Sequence, residues 1–243
     1  MIEPGTRDYA RLYQRLLRTM LVTCLLPVLL IGGAAYLQFQ GYAQQMVVDQ
    51  QERLVLNHAE SINSFLHARR AELGAIADEY DVAQLRSGEL ERVFKVLQQG
   101  AGVYTDIGII DDRGNHVKYV GPYNLAGRNY SDADWFQALK TEDVVVSDLF
   151  LGYRGVPHFI IAVKRADAGT FWILRATLSI DYISQLVESI RVGTSGEAFL
   201  LDRTGLFQTK TRFPSSLLGA SHFPYLQAHQ GVHSAELQES GVT

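Results

Sequence analysis

Residues 103–120 read Val-Tyr-Thr-Asp-Ile-Gly-Ile-Ile-Asp-Asp-Arg-Gly-Asn-His-Val-Lys-Tyr-Val, and residues 198–209 read Ala-Phe-Leu-Leu-Asp-Arg-Thr-Gly-Leu-Phe-Gln-Thr. In the first stretch an apolar run rich in β-branched residues meets a polar, glycine-bearing turn and leaves it as a second run, which predicts an antiparallel hairpin. The second stretch repeats that order about 90 residues later, and self-similarity of this kind is the mark of a duplicated module rather than one large sheet. The second copy is followed by too few residues to complete a sheet before Thr243, so the sequence reads as the N-terminal part of a longer protein.

Working outward from the first hairpin, further strands are expected at Val144–Val146, Phe159–Lys164 and Phe171–Thr177. Together they predict an antiparallel sheet of about five strands, interrupted by a long connecting segment from Gly121 to Glu142. A helix is expected from about Ile180 to Arg191. Upstream, Ser87 is a candidate N-cap for a short helix with Glu89 and Glu91 in its first turn and Leu90, Val93, Phe94 and Leu97 facing inward. Between Gln44 and Tyr80 there is no proline, and Ile62, Phe65, Leu66, Leu73, Ile76 and Tyr80 recur at helical spacing. A helix of that length extends about 50 Å, more than a small domain needs for packing. Its lower part reads either as a stalk, which would pair with a second copy in a homodimer, or as the frayed start of an amphipathic core helix.

Thr19 to Val48 carries no charged residue, and Met20 to Leu37 is almost wholly apolar. Roughly 20 such residues suffice to cross about 30 Å of hydrocarbon, so this run predicts a membrane span, with Tyr36, Phe39 and Tyr42 as its interfacial aromatics. Pro27, Gly32 and Gly33 are tolerated inside such a helix. Arg7, Arg11, Arg15 and Arg18 precede it, which places the N-terminus in the cytoplasm by the positive-inside rule and everything beyond about residue 40 outside the inner membrane. A cleaved signal peptide, with Gly33 and Ala35 at the cleavage site, is the competing reading, although the apolar segment is long for an h-region. Of 22 basic and 26 acidic residues, the tail takes four arginines, Glu3 and Asp8, which leaves 18 basic and 24 acidic outside. With that balance neither nucleic acid nor anionic lipid is an expected partner of the outer part. The single cysteine, Cys24, excludes a disulfide framework.

Anchor, long helix, mixed α/β module and a second opening hairpin are also the order of parts in double Cache sensor domains. The chain resembles that family most closely at Arg128-Asn129-Tyr130-Ser131-Asp132-Ala133-Asp134-Trp135-Phe136, which is similar to the Cache pattern R-x-Y-x-x-R-x-W-Y. The likeness continues through Ser147-Asp148, Phe159 to Val163 and Gly193-Thr194-Ser195-Gly196-Glu197-Ala198-Phe199. It implies an α+β fold: a cytoplasmic tail at 1–18, a transmembrane helix at 19–40, a long helix at 41–80, and tandem PAS-like modules with antiparallel sheets. The membrane-distal module would occupy 81–178, and a linker helix with the start of an incomplete membrane-proximal module 179–243. The role the resemblance implies is binding of a small extracytoplasmic molecule in the distal module and transmission to a cytoplasmic output. Gly121-Pro122-Tyr123, Gly152-Tyr153-Arg154-Gly155-Val156-Pro157-His158 and Leu174-Arg175-Ala176-Thr177 look like the version joined to histidine kinases, with chemotaxis and cyclic-dinucleotide outputs as alternatives. A tethered ectodomain that binds a protein partner and no small ligand is the alternative of another class. The chain departs from the amino-acid-binding receptors at Ala133 and Thr177, where the family pattern has an arginine and an aspartate. Both ionic contacts to an α-amino acid would be lost, each worth about 1.5 to 3 kcal/mol, so that ligand class is not expected.

Among the residues, Tyr130 and Trp135 are candidates for an aromatic pocket wall, and Tyr123 and Tyr153 for hydroxyls that orient a polar ligand; core packing is the competing reading of each. Arg154, His158 and Arg175 are the cationic candidates. Arg175 stands in a strand beside Trp172, Ile173, Leu174 and Ala176, where a charge requires a partner: a ligand carboxylate, or Asp148 or Asp134 within the protein. His158 reads as a pH-sensitive contact or as a satisfied histidine. His229 and His233 have the spacing of helical metal ligands, but Gly231 lies between them and nothing completes the set, so no metal and no cofactor is expected. Asp78, Glu79 and Asp81 read as a solvated helix end. No catalytic constellation stands in a supporting context, which leaves no basis for an enzymatic centre in this chain.

Overall fold

The computed structural model describes residues 6–100, 102–189, 197–211 and 217–221. The chain divides into two units, residues 1–53 grouped with 233–243, and residues 54–232. Helix α1 runs over Thr6–Glu79 with Pro27 inside it. Its apolar residues from Leu12 to Val47 remain exposed, and the helix is long and apolar enough to cross a membrane.

In the second unit the strands are β1 (Tyr104–Asp111), β2 (His116–Val120), β3 (Val144–Val146), β4 (Phe159–Asp167) and β5 (Thr170–Leu178), at the places the sequence predicts. They form one antiparallel sheet in the order β2-β1-β5-β4-β3. Alternation along the central strands gives the sheet two different faces. Ile107 and Ile109 of β1 and Trp172, Leu174 and Ala176 of β5 pack with Leu73 and Ala77 of α1 and with Leu90, Val93 and Leu97 of α3 (Leu90–Gln99). On the other face, Ile110, Ile160, Ala162 and Ile173 meet Tyr130, Trp135, Phe136 and Leu139 from the segment that joins β2 to β3. The α-face supplies the larger core. The second face is where polar groups are buried.

The approach to α3 differs from the expectation. Ser87 does not cap a helix; its hydroxyl donates to the Gln84 carbonyl at 2.9 Å, within a wide π-type turn over Leu85–Glu89 that holds Gly88 at φ 132°. The capping is done earlier, by Asp81, whose carboxylate accepts from the Gln84 amide at 2.7 Å while the Gln84 side chain accepts from the Asp81 amide at 2.9 Å. This closes a reciprocal capping box at the start of α2 (Val82–Gln84). Asp81, read from the sequence as part of a solvated helix end, is therefore the N-cap of a new helix. Asp81→Ala is expected to destabilise the 54–232 unit by about 1 kcal/mol in denaturant unfolding. A change under about 0.3 kcal/mol would mean that the turn is held by packing of Leu85 alone. Asp78 is exposed as expected and pairs with Arg165 of β4 at 2.5 Å.

The two turns that suggested a duplication are built alike. In the first, the Asp111 amide donates to the Asn115 carbonyl, Gly114 donates to the Asp111 carbonyl, and the Asp111 carboxylate accepts from the Arg113 and Asn115 amides. In the second, Asp202, Gly205, Thr204 and Leu206 repeat these four bonds. The flanking segments of the second turn meet through an isolated bridge, Leu201 with Phe207, and Leu206 forms another with Ala220. The His229 and His233 pair and most of the Gly193–Phe199 motif lie outside the described residues.

Candidate ligand-binding site

Gly114 fixes the connecting segment against the hairpin. It holds φ 84°, and a Cβ there would lie 2.6 Å from the Ser131 amide, so only glycine allows the 130–131 backbone this close. The Tyr130 amide donates to the Gly114 carbonyl at 2.8 Å, and the Asn129 side chain donates to the Arg113 carbonyl and to Asn115. From that anchor the chain enters α4 (Asp134–Ala138), which turns Trp135 and Phe136 onto the sheet.

A cavity of about 890 Å³ opens beside this segment. Tyr130, Trp135, Ala138, the stretch Val145–Phe150 and Tyr153 line it, and so do the carboxylates of Asp132, Asp134 and Asp148. Tyr153 is half exposed and donates from its hydroxyl to the Asn129 carbonyl at 2.7 Å, so it bridges the 149–158 loop to the connecting segment. The rings of Tyr130 and Trp135 lie 5.4 Å apart, and those of Tyr130 and Tyr153 5.3 Å apart.

Behind the aromatic wall lies a charged cluster. Asp106 of β1, fully buried, faces the same side of the sheet as Arg175 and Thr177 of β5. The Arg154 guanidinium donates to the carboxylate of Asp106 and to the hydroxyl of Thr177, and it covers the Tyr123 ring with Cζ 4.9 Å from the centroid. Arg175 Nη1 stands 3.8 Å from Asp106 Oδ1, too far for a hydrogen bond, and its Cζ is 5.3 Å and 5.9 Å from the ring centroids of Tyr130 and Trp135. The Tyr119 hydroxyl donates to Asp106 at 3.2 Å and accepts from the Tyr123 amide at 2.9 Å. Arg175 fits its strand because its neighbours across the sheet are Gly108 on β1 and Ala162 on β4, which leave room for a guanidinium. Gly108 also admits the His116 ring, whose Nε2 would lie 1.8 Å from a Cβ at that position.

Seven residues were singled out in the sequence. Tyr130, Trp135 and Tyr153 line the cavity; Tyr123, Arg154 and Arg175 gather around Asp106 behind it. The internal partner considered for Arg175 was Asp148 or Asp134; the nearest carboxylate is instead Asp106. His158 stands at the base of the loop, buried, with its ring 4.4 Å from that of Phe150 and Nδ1 2.8 Å from the Val156 carbonyl. Burial pushes its pKa down to about 4, and that of His116 to about 3, so both imidazoles are neutral in the folded protein near pH 7. Burial likewise raises the Tyr119 hydroxyl to about 12, with the Asp106 charge adding to the effect. Among the described residues no group of three or more His, Cys, Asp or Glu side chains is placed to hold a metal ion.

No curated protein matches the chain. Among solved structures it is similar to an extracellular ligand binding receptor from Desulfohalobium retbaense, at 16% identity and TM-score 0.55, with 63% of this chain and 29% of that chain covered. It is similar to the ligand-binding domain of the Campylobacter jejuni chemoreceptor Tlp3, solved with 4-methylisoleucine, at 12% identity and TM-score 0.53, covering 66% of this chain and 68% of that one. The extracellular domain of rpHK1S-Z16, a protein assigned as a histidine kinase, gives 19% identity and TM-score 0.52 over 64% and 67% of the two chains. At these identities the likeness shows the fold, and the chain spans less than a third of the first receptor. Residues 39–229 match the Cache domain family in its double Cache form, and by that match, over most of its length, the chain belongs to the double Cache family.

Proposed function

We propose that this chain is the extracytoplasmic ligand-sensing region of a single-span membrane receptor. In this reading α1 anchors the protein with its N-terminus in the cytoplasm and pairs with a second copy, and the 81–178 module binds a small molecule. A histidine kinase is the proposed output, in keeping with the sensor domains that share the fold. The observation that carries the reading is the cavity walled by Tyr130, Trp135 and Tyr153. Its size falls in the range of about 300 to 1,000 Å³ typical of small-molecule sites, and its lining combines aromatic surface with a few polar groups. One side of it is the 149–156 loop, which leaves Leu151, Tyr153 and Val156 exposed and buries Leu149 and the Arg154 side chain. A ligand that binds better when loop and connecting segment close over it will shift their populations, and only such a ligand can signal.

The test is a thermal-shift screen of the chain in detergent against carboxylates, amines, amino acids and purines. A compound at 100 times its dissociation constant should stabilise the unit by about 2.7 kcal/mol. Tyr153→Ala, a change at a half-exposed position, should weaken that compound at least tenfold while the ligand-free protein still unfolds cooperatively. If no compound in the panel shifts melting, the cavity is not a small-molecule site, and a partner-binding ectodomain becomes the better reading.

A further inference from the structure

The cavity lining borrows a hydrogen bond from the second turn. Within residues 145–150, the Ser147 and Phe150 amides donate to the Ile160 and His158 carbonyls at 3.0 and 3.2 Å. Leu149, between them, is buried and lines the cavity, but its amide donates elsewhere, to Oε1 of Gln208 at 2.6 Å, 59 residues along the chain. Gln208 is itself only 4% exposed, so water is a poor substitute for either partner, and a buried amide left without an acceptor is costly. The other end of the same side chain is engaged too. Gln208 Nε2 donates to Asp202 Oδ2 at 3.3 Å and to the Leu206 carbonyl at 3.2 Å, while Asp202 Oδ1 accepts from the Thr204 and Leu206 amides. The Gln208 backbone amide is held by the Leu200 carbonyl at 2.8 Å. A primary amide accepts at one atom and donates at the other; a carboxylate has no donor, and asparagine is one methylene shorter.

We infer that Gln208 is a positioning residue that couples the cavity to the second turn: it ties the Leu149 amide to the Asp202 carboxylate, so that a displacement at either end is felt at the other. Its part in signalling rests on the cavity reading above. On the cavity side the path is short. Phe150 lines the cavity and exchanges both backbone bonds with His158, at the base of the loop that carries Tyr153. Movement of that loop over an occupant displaces the Leu149 amide next to it, and Gln208 carries the displacement to the carboxylate around which the second turn is folded. Such coupling is reciprocal: what the lining does to the turn, the turn does to the lining.

The experiment is amide hydrogen exchange of the full chain in detergent, read at single residues by mass spectrometry. Gln208→Met keeps the length of the side chain and removes both polar atoms. The Leu149 amide should then exchange about tenfold faster, with Phe150 and His158 following, and the β4 amides of Ile161 and Val163 unchanged. Gln208→Glu keeps the acceptor and loses the donor, so Leu149 should stay protected while Thr204 and Leu206, now beside two carboxylates, exchange faster. That split also guards against a folding defect in the first variant. Adding Asp202→Asn to Gln208→Glu returns a donor to the turn and should restore most of the protection at Thr204 and Leu206.

Phe207→Leu, which loosens the packing of the buried Phe207 ring without touching the Gln208 side chain, should leave Leu149 protected. A loss there equal to that of Gln208→Met would assign the effect to packing and overturn the inference. The coupling itself is read from Phe150→Ala, which should speed exchange at Thr204 and Leu206 in the wild-type background and not in Gln208→Met. Equal effects in both backgrounds would overturn it as well. Its failure is separable from failure of the cavity reading. Equal effects of Phe150→Ala in both backgrounds, with a compound of the panel raising the melting temperature, leave the cavity reading and remove Gln208 from it. A Phe150→Ala effect that depends on Gln208, with no compound raising the melting temperature, leaves the coupling and removes the small molecule.

Discussion

Asp106→Asn is expected to cost the 54–232 unit about 3 to 5 kcal/mol, the loss typical of removing one partner from a buried ion cluster. Asn keeps the shape of the side chain and an oxygen that Arg154 can donate to, so the change isolates the charge. What remains is two guanidiniums, each almost wholly buried, with no carboxylate between them. Against a total stability of about 5 to 15 kcal/mol this is a large fraction, and the melting temperature should fall by about 10 °C or more. Adding Arg154→Met to Asp106→Asn should recover part of the loss, because it removes one of the two stranded charges. The measurement is a double-mutant cycle by denaturant unfolding on the 106 and 154 positions. A loss below about 1 kcal/mol for the single variant, or additive effects in the cycle, would show that water reaches the cluster and screens it.

Asp106 also marks where the sequence stopped being legible. The strand that bears it was placed correctly from its apolar run and its turn, and so were the other four strands, because period-two alternation and glycine-bearing turns are local signals. Arg175 attracted attention as a lone charge in an apolar strand. Asp106 is the same kind of anomaly, a carboxylate two residues before Gly108 and next to the apolar run Ile107 to Ile110, but a charge near a strand start is commonly solvated, so its burial has no local signature. The pairing of the two depends on register: Arg175 lies opposite Gly108 and Thr177 opposite Asp106, an arrangement set by contacts across the sheet that no short window of sequence contains.

The aromatic residues were legible for another reason. Tyr130 and Trp135 stand in a string similar to a family pattern, and Tyr153 in a glycine-flanked loop. That Tyr123 and Arg154 would meet 4.9 Å apart was not readable, since 30 residues of chain separate them and the loop's path is decided by the ion pair at its tip. At the helix entry, Ser87 has the residue type of a cap, but the capping box at Asp81 and Gln84, a pattern of two residues, outcompetes it. Reciprocal caps satisfy two backbone donors at once, which a single serine does not.

Acid should destabilise this domain well before its carboxylates titrate. The sign follows from the depressed pKa values of His116, near 3, and His158, near 4, against an ordinary value of 6.5. Burial is the leading cause in each, and the positive charges of Arg175 and Arg154 act in the same direction. The unfolded chain binds a proton at each imidazole as pH falls below about 6.5, the folded chain does not, and stability is therefore lost as pH falls from about 6.5 toward 4. At pH 5 each histidine accounts for about 2 kcal/mol, so the pair removes about 4 kcal/mol relative to pH 7. Carboxylates held below their ordinary range, such as Asp78 and Glu91, lose their contribution only near pH 4 and lower, outside this window. Unfolding free energy measured in denaturant at half-unit steps from pH 7.5 to 5 should fall with a slope approaching two protons per molecule. His158→Asn, which replaces the ring at the loop base by a group that does not titrate, should halve that slope while leaving the part due to His116. A flat profile between pH 7 and 5 would mean that both imidazoles become protonated inside the fold at no cost, and that the positive charge next to them is smaller than two guanidiniums and one carboxylate imply.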